Sequence, residues 1–547
     1  MRINAIPLVF RVLFVLVFGL YVYHLFLDFY IDDAALYAAL SKTMVQTGDY
    51  ISLVHNGNDW LDKPHFPFWL TALSFKVFGV SSFTYYLPLT LTIFLTFYYT
   101  FRFAKRHYSE EIAWISVLVL SASQYLFMAS TEGRVEPILM LCIIASLYHF
   151  DCGYDQASKR HFTLVALFTA IAIMTKGIFI LIPIFGGVFG HYWFQEKSLR
   201  FVFHWRWLWI GFFIVLFISP EIYALYLQFD SQPEKVIFGQ TNVSGIRWFL
   251  WDSQFSRLVN SGPITRSSGD VFFFLHTLLW AFFPWCFILY GAYVESVSSM
   301  IKKRKLPETL TFFGSLFIIL IFSVSKFQLP HYTTVIFPLL AIMVANFLVD
   351  NRIKWKRNLV KWSVLVSLVL SLTLVILFIS FVTPSLLFFS LFIVLLGISI
   401  WISRNKPIKT KRWLAYGVVS VLLVNLVLSF YILPELGKFR GGLIASTYLN
   451  QDNSNDEVLI VGRVPNFVNF YLDSPFKKVN SLDNVVIEEY AKVLVYDPKK
   501  EIDLLKLSDF RLEKSFDHYP SESLSLNFFS EEKRANQLTK FQLFTKR

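Results

Sequence analysis

Long apolar runs separated by short polar or basic clusters fill the chain up to about residue 433. Runs of about 18 or more apolar residues are long enough to cross a bilayer as helices. Thirteen such spans are expected, at about 7–27, 84–103, 111–130, 135–151, 162–175, 178–194, 207–227, 271–296, 308–325, 330–349, 362–382, 385–403 and 414–433. Two segments interrupt the series. Residues 28–83 form a first large loop, in which Tyr37 to Val45 reads as a helix lying along the membrane and stopped by Gly48-Asp49. Within it, Phe66 to Val80 is apolar on one side and suits the membrane interface. Residues 228–270 form a second large loop, rich in aromatic and polar residues.

After position 433 the pattern changes. Val458 to Val461 and Lys492 to Tyr496 read as short buried strands, Val464 to Leu472 as a helix, and Gln537 to Thr545 as a closing strand. Residues 434–547 are therefore expected to be a small α/β domain outside the membrane. Residues 1–433 form the helical membrane domain.

Composition agrees with this division. The chain is 55% apolar and 18% aromatic but only 16% charged, which excludes an ordinary soluble protein. Its formal charge of +12 comes from 50 basic and 38 acidic residues. The basic clusters stand between spans, at Lys105-Arg106, Lys159-Arg160, Lys197 to Arg206, Lys302 to Lys305, Arg352 to Arg357 and Arg404 to Arg412. That is the positive-inside pattern rather than a nucleic-acid stripe. With the N-terminus inside, all of these clusters fall on the cytoplasmic side. The first loop, the second loop and the C-terminal domain then lie outside. Cys142, Cys152 and Cys286 have no metal-ligand or disulfide spacing and read as packing residues. Arg2 and Arg11 precede the first apolar run, with no small-residue cleavage site before Asp28, so it reads as an uncleaved span.

The remaining charges gather at the outer face, where ionisable groups at membrane depth tend to be functional. Asp32-Asp33 either cap a helix beginning near Ala34 or supply a base. Lys63, extended before Pro64, either snorkels or joins its neighbour Asp62 in a charged site. Arg134 and Glu136 either bridge each other or face a ligand. Lys176 sits in a turn too short for an ordinary loop, and Lys326 lies in another outer turn. Arg247, Arg257 and Arg266 are spread through the second loop, where an anionic ligand would account for them. Together these groups describe cations suited to a phosphate and carboxylates able to take a proton from a nucleophile. Aromatic walls would suit a sugar or a prenyl chain. No phosphate-cradling glycine loop is present, so a donor activated as a lipid phosphate fits best.

On these residues the chain resembles the GT-C glycosyltransferases, and within them the lipid A aminoarabinose transferases and their protein-mannosyltransferase-like relatives. The resemblance rests on Asp33-Ala34-Ala35-Leu36-Tyr37-Ala38, Gly48-Asp49-Tyr50, Asp62-Lys63-Pro64 with Phe68-Trp69, Thr175-Lys176-Gly177, and Pro284-Trp285. It also rests on the Ser323, Lys326, Leu329-Pro330, Tyr332 signature. It implies that Asp33 is the base, with Asp32 as its alternate, and that Glu136 is a second acidic residue. It implies that Lys63, Arg257 and Tyr332 hold the donor phosphate, beside Lys176 and Lys326. Asp62 and Asp252 stand where some relatives hold a divalent metal. The chain departs from the family at Leu36, Glu136 and Asp252, which replace an Arg, an Asp and a His.

The expected function is an inverting transfer of sugar from a polyprenyl-phosphate donor to a lipid A-like lipid, glycan or protein outside the inner membrane. The alternative is a multi-spanning transporter or lipid flippase, against which stands the lack of repeated halves. A structural protein with an outer sensing domain is a third reading.

Overall fold

The computed structural model describes residues 7–197, 200–261, 263–265, 269–349, 353–381, 385–404, 411–452, 456–483, 485–521 and 525–547. Arg266, Arg352 and residues 405–410, which belong to expected charge clusters, lie outside the described residues.

Each of the thirteen expected spans holds helix. Among the described residues, seven of these helices are long and apolar enough to cross a membrane alone, or eight with one bent pair. Thirteen is thus a number of helical segments and not of established crossings. Two of the segments are broken. The third bends by 55° between Glu110–Ser121 and Gln124–Glu132, and the eighth divides into Phe273–Ala281 and Cys286–Ile301. The breaks serve each other. The Gln124 backbone N–H donates to the Phe283 carbonyl at 3.1 Å. The wholly buried Trp285 donates from Nε1 to the Ala122 carbonyl at 3.0 Å. Backbone groups freed inside an apolar bundle must find such partners.

The first loop is more helical than expected. Its first helix runs Asp32–Thr47, longer than Tyr37 to Val45, and ends at Gly48 with φ +71°. A second helix covers Phe66–Phe78. Tyr37 packs edge-on against Trp60 and Phe68, fixing the first helix to the Asp62-Lys63-Pro64 turn.

Basic loops meet at the opposite end of the bundle. Arg106 and Lys305 line one cavity there, and Lys411 pairs with Glu111 at 2.6 Å.

The C-terminal region is a five-stranded sheet. Its strands are β1 (Val458–Gly462), β2 (Phe476–Val479), β3 (Lys492–Tyr496), β4 (Phe510–His518) and β5 (Thr539–Lys546), in the order β2-β1-β3-β5-β4. β1 is parallel to β2 and β3, and β5 is antiparallel to β3 and β4. The helix between β1 and β2 spans Asn466–Tyr471. β2 and β4 escape the sequence reading because they are edge strands with mostly unburied side chains, so no apolar run marks them.

This domain is clamped to the first loop. Lys42 donates to the carbonyls of Phe470 and Leu472, both at 2.8 Å, and pairs with Asp473 at 3.2 Å. Phe467 and Phe470 join the hydrophobic core of the membrane domain.

Candidate active site

The charged residues of the two large loops and three helix ends come together on the side of the bundle that bears the C-terminal domain. Asp33 is the second residue of the Asp32–Thr47 helix. Arg134 Nη1 lies 3.4 Å from its carboxylate. The approach depends on Gly133, which has φ +62° and whose added Cβ would fall 2.7 Å from Tyr85 and 3.0 Å from Ala34. Arg134 also donates to Glu132 at 2.5 Å. The expected Arg134–Glu136 bridge is therefore not made. Glu136 opens its own helix and is paired instead with Lys176, with His331 at 3.7 Å. Asp33 and Glu136 differ in access: the Asp33 side chain is 48% exposed and that of Glu136 2%. Of these two carboxylates, Asp33 is the one open to solvent.

A second group forms around Asp62. One of its oxygens accepts from Arg257 at 2.9 Å and the other from Lys63. Burial alone would raise the Asp62 carboxyl, but Lys63 and Arg257 outweigh it and hold Asp62 below the usual carboxylate range. Burial dominates at Lys63 and, with Arg257 nearby, outweighs the pull of Asp62, lowering its ammonium from the ordinary lysine value. Asp33 is near enough to act on the same ammonium.

Lys176 joins the two groups. It pairs with Glu136, and its ammonium stands 4.7 Å from the centre of the Tyr332 ring. Lys176 precedes Gly177, whose φ of +105° places it in glycine's own territory and whose missing Cβ admits Gln254. The Ser253–Val259 helix thereby lies against the Lys176 turn and presents Arg257. The Lys326 backbone N–H donates to the Leu258 carbonyl at 3.0 Å, and Ser325 Oγ donates to the Arg257 carbonyl at 3.3 Å. The Lys326 side chain itself is exposed, so its part here is played by the main chain.

An apolar cavity of about 380 Å³ is lined by two cations, Lys176 and Arg257. Phe179, Phe255, Phe322 and Tyr332 wall it. A small void beyond, lined by Asp62 and Lys63, shares the same two cations. This is an apolar groove with a cationic head.

Other expected residues lie elsewhere. Asp32 turns to the C-terminal domain, where its carboxylate accepts from the Asn466 N–H at 2.6 Å and from Asn466 Nδ2 at 2.7 Å. Asp252 pairs with the exposed Arg247 at 3.2 Å. With Asp62 held by two cations and Asp252 by Arg247, the pair does not fit a divalent metal. Among the described residues, no group of three or more acidic, histidine or cysteine side chains is placed to hold one.

Two buried contributors escaped the sequence reading. His65 Nδ1 lies 2.9 Å from Glu221, whose carboxylate also accepts the His65 N–H at 3.0 Å. His65 Nε2 meets the Ile51 carbonyl at 2.8 Å. Both ring nitrogens thus face oxygen acceptors, the Glu221 carboxylate and the Ile51 carbonyl. The pair ties the Lys63-Pro64 turn to the Trp205–Leu225 helix. A Glu in the apolar FISPEIYAL stretch was the available signal. Glu132, which accepts from Tyr125 at 3.1 Å and from Arg134, is the other.

Residues 62–223 match the Dolichyl-phosphate-mannose-protein mannosyltransferase family. The crystal structure of ArnT from Cupriavidus metallidurans bound to undecaprenyl phosphate superposes with a TM-score of 0.71. The match covers 94% of this chain and 96% of that one at 16% identity. The undecaprenyl phosphate-alpha-4-amino-4-deoxy-L-arabinose arabinosyl transferase 2 of Proteus mirabilis is 24% identical over 338 residues. The chain shares the fold of ArnT, and part of its sequence is similar to the aminoarabinose transferases. The undecaprenyl phosphate-alpha-4-amino-4-deoxy-L-arabinose arabinosyl transferase of Shewanella sediminis is 23% identical over 360 residues. The matches cover 59% and 64% of this chain but only 56% and 60% of those two relatives. An uncharacterised protein of Aquifex aeolicus, 25% identical, is covered over 75% of its length, as is this chain. The fold shared with ArnT thus takes in both the helical bundle and the C-terminal sheet, over 94% of the chain.

Proposed function

We propose that the chain transfers a sugar from a polyprenyl-phosphate donor to a lipid, glycan or protein acceptor at the extracytoplasmic face of the inner membrane. The observation that carries this reading is the apolar groove whose lining includes the cations Lys176 and Arg257. A polyprenyl chain fits such a groove, and its phosphate would reach Lys176, Arg257 and Lys63. Relatives named for undecaprenyl-phosphate aminoarabinose transfer support the donor class. The outer assignment is supported by the basic loops, which collect at the far end of the bundle.

The chemistry follows from the site. Asp33, the accessible carboxylate, takes the proton of the acceptor nucleophile. The nucleophile attacks the anomeric carbon from the face opposite the phosphate, so configuration inverts. The bond between that carbon and the phosphate oxygen breaks, and polyprenyl phosphate leaves with the electron pair. Lys63, Lys176 and Arg257, preorganised in an apolar setting, stabilise the growing phosphate charge. Asp62 keeps Lys63 and Arg257 at the head of the groove. Glu136 does the same for Lys176, and Arg134 orients Asp33.

The test is release of undecaprenyl phosphate when purified protein is given an undecaprenyl-phosphate sugar and cell-envelope lipids. Wild-type protein should release it. Asp33→Asn should lower release by at least about 100-fold, within the range for a lost general base, with unchanged thermal unfolding. Full activity in that variant would refute the assignment of the base.

A further inference from the structure

A second, larger cavity of about 760 Å³ lies between the first loop and the C-terminal sheet. The mechanism above leaves it unused. Its floor is the carboxyl end of the sheet. Arg463 follows β1, Asn480 follows β2, Tyr496 ends β3 and His518 ends β4. After β1 the chain crosses to β2 on one side, and after β3 it proceeds to β4 on the other. The cavity therefore stands where the connections diverge, the place at which open α/β sheets hold ligands. Its roof is the first loop, with Asp32, His55 and Asn58.

Three features describe what it accepts. The lining is cationic: Arg440, Arg463 and Lys478 face a single carboxylate, Asp32, which already accepts two hydrogen bonds from Asn466. Arg463 is exposed, and among the described residues neither it nor Lys478 is in a salt bridge; Lys478 donates to the Val464 carbonyl at 3.0 Å. Finally, His518 is 2% exposed, and its Nδ1 has no hydrogen-bond partner. Buried polar atoms are nearly always satisfied, so an orphan at a cavity wall marks a place for a ligand group. Burial, with Arg440 beside it, pushes the His518 imidazole down to about 3, so the ring is neutral and offers one lone pair or one N–H.

We propose that this cavity binds the phosphorylated sugar headgroup of the glycosyl acceptor, with Arg463 and Lys478 on the phosphate and His518 on a hydroxyl. The assignment rests on the reading of the chain as a glycosyltransferase. Position favours the acceptor. Asp32 lines this cavity, while the adjacent Asp33 faces Arg134. The cavity wall thus includes the chain neighbour of the base, whereas the donor has its own groove.

Binding to full-length protein in detergent tests the anion site, with glucose 6-phosphate as probe and glucose as control. Glucose 6-phosphate should bind at least ten-fold more tightly than glucose. Arg463→Ala, at an exposed position, should lower that affinity about ten-fold, and Arg463→Lys should restore part of it. Equal binding of both sugars, or no effect of Arg463→Ala, overturns the site. Nanodiscs distinguish a lipid headgroup from a free sugar phosphate. Wild-type protein should associate with phosphatidylcholine discs carrying lipid A more than with phosphatidylcholine alone, and Arg463→Ala should lose the preference. Binding of free glucose 6-phosphate without that preference overturns the acceptor assignment. Release of undecaprenyl phosphate by wild-type protein is read separately. Its absence would remove the glycosyltransferase reading while the anion site stood, and its presence without sugar-phosphate binding would do the reverse.

Discussion

At the scale of single residues, the site is a set of buried charges that are stable only as pairs. Glu136 and Lys176 are the clearest case. Removing one partner of a buried ion pair leaves the other charge uncompensated, at a cost of about 3–5 kcal/mol. Glu136→Gln should therefore lower the melting temperature sharply, and adding Lys176→Met should recover part of the loss. If the double variant were no more stable than the single one, the two would not be coupled. Titration separates the other pair. Asp62, held below the carboxylate range by Lys63 and Arg257, adds stability above the unfolded carboxylate value of about 3.9. That contribution disappears as pH falls through its lower folded value. Lys63 has its ammonium lowered chiefly by burial and loses charge below the ordinary lysine value of about 10.4. Donor KM should accordingly rise on the alkaline side before that value, and Lys63→Arg should move the rise to higher pH. A profile unchanged by Lys63→Arg would remove Lys63 from phosphate binding. The sequence made these residues visible because charges in an apolar setting stand out. It did not reveal the pairings: Arg134 meets Glu132 and Asp33 rather than Glu136, because a turn at Gly133 sets its direction. Asp32 and Asp33 look equivalent along the chain, yet successive helical positions diverge by about 100°, and the two side chains reach different partners.

At the scale of elements, short breaks do most of the placing. Gly177 lets the Ser253–Val259 helix rest on the Lys176 turn, which sets Arg257 beside Lys176. Its backbone lies in a region open essentially to glycine, where a side chain costs about 1–3 kcal/mol. Gly177→Ala should weaken donor binding several-fold while leaving the other helices intact by circular dichroism. Unaltered donor KM would show that the helix holds its place without the glycine. The long apolar helices were legible from run length. The bends at Ala122-Ser123 and Phe282–Trp285 were not, because apolar composition continues through them and only the hydrogen bonds to the freed carbonyls, from the Gln124 N–H and the Trp285 indole, show why they are tolerated. In the sheet, buried β1 and β3 were legible and the edge strands β2 and β4 were not, since edge strands present charged side chains on both faces.

At the scale of the molecule, the membrane domain and the C-terminal sheet share one surface, and the site lies beside it. Lys42 and Asp32 make the join with backbone groups of the Asn466–Tyr471 helix and its flanks. Asp32→Ala should speed proteolysis of the C-terminal domain, where Asp33→Asn should not; the same protection in both variants would contradict their division of labour. The central claim is that a polyprenyl phosphate lies in the apolar groove with its phosphate among Lys63, Lys176 and Arg257. A cryo-EM map of the protein in nanodiscs with undecaprenyl phosphate tests it most directly. The account predicts phosphate density at those three side chains and chain density along Phe179 and Phe322; phosphate density at the opposite, basic end of the bundle or in the Arg463 cavity would contradict it.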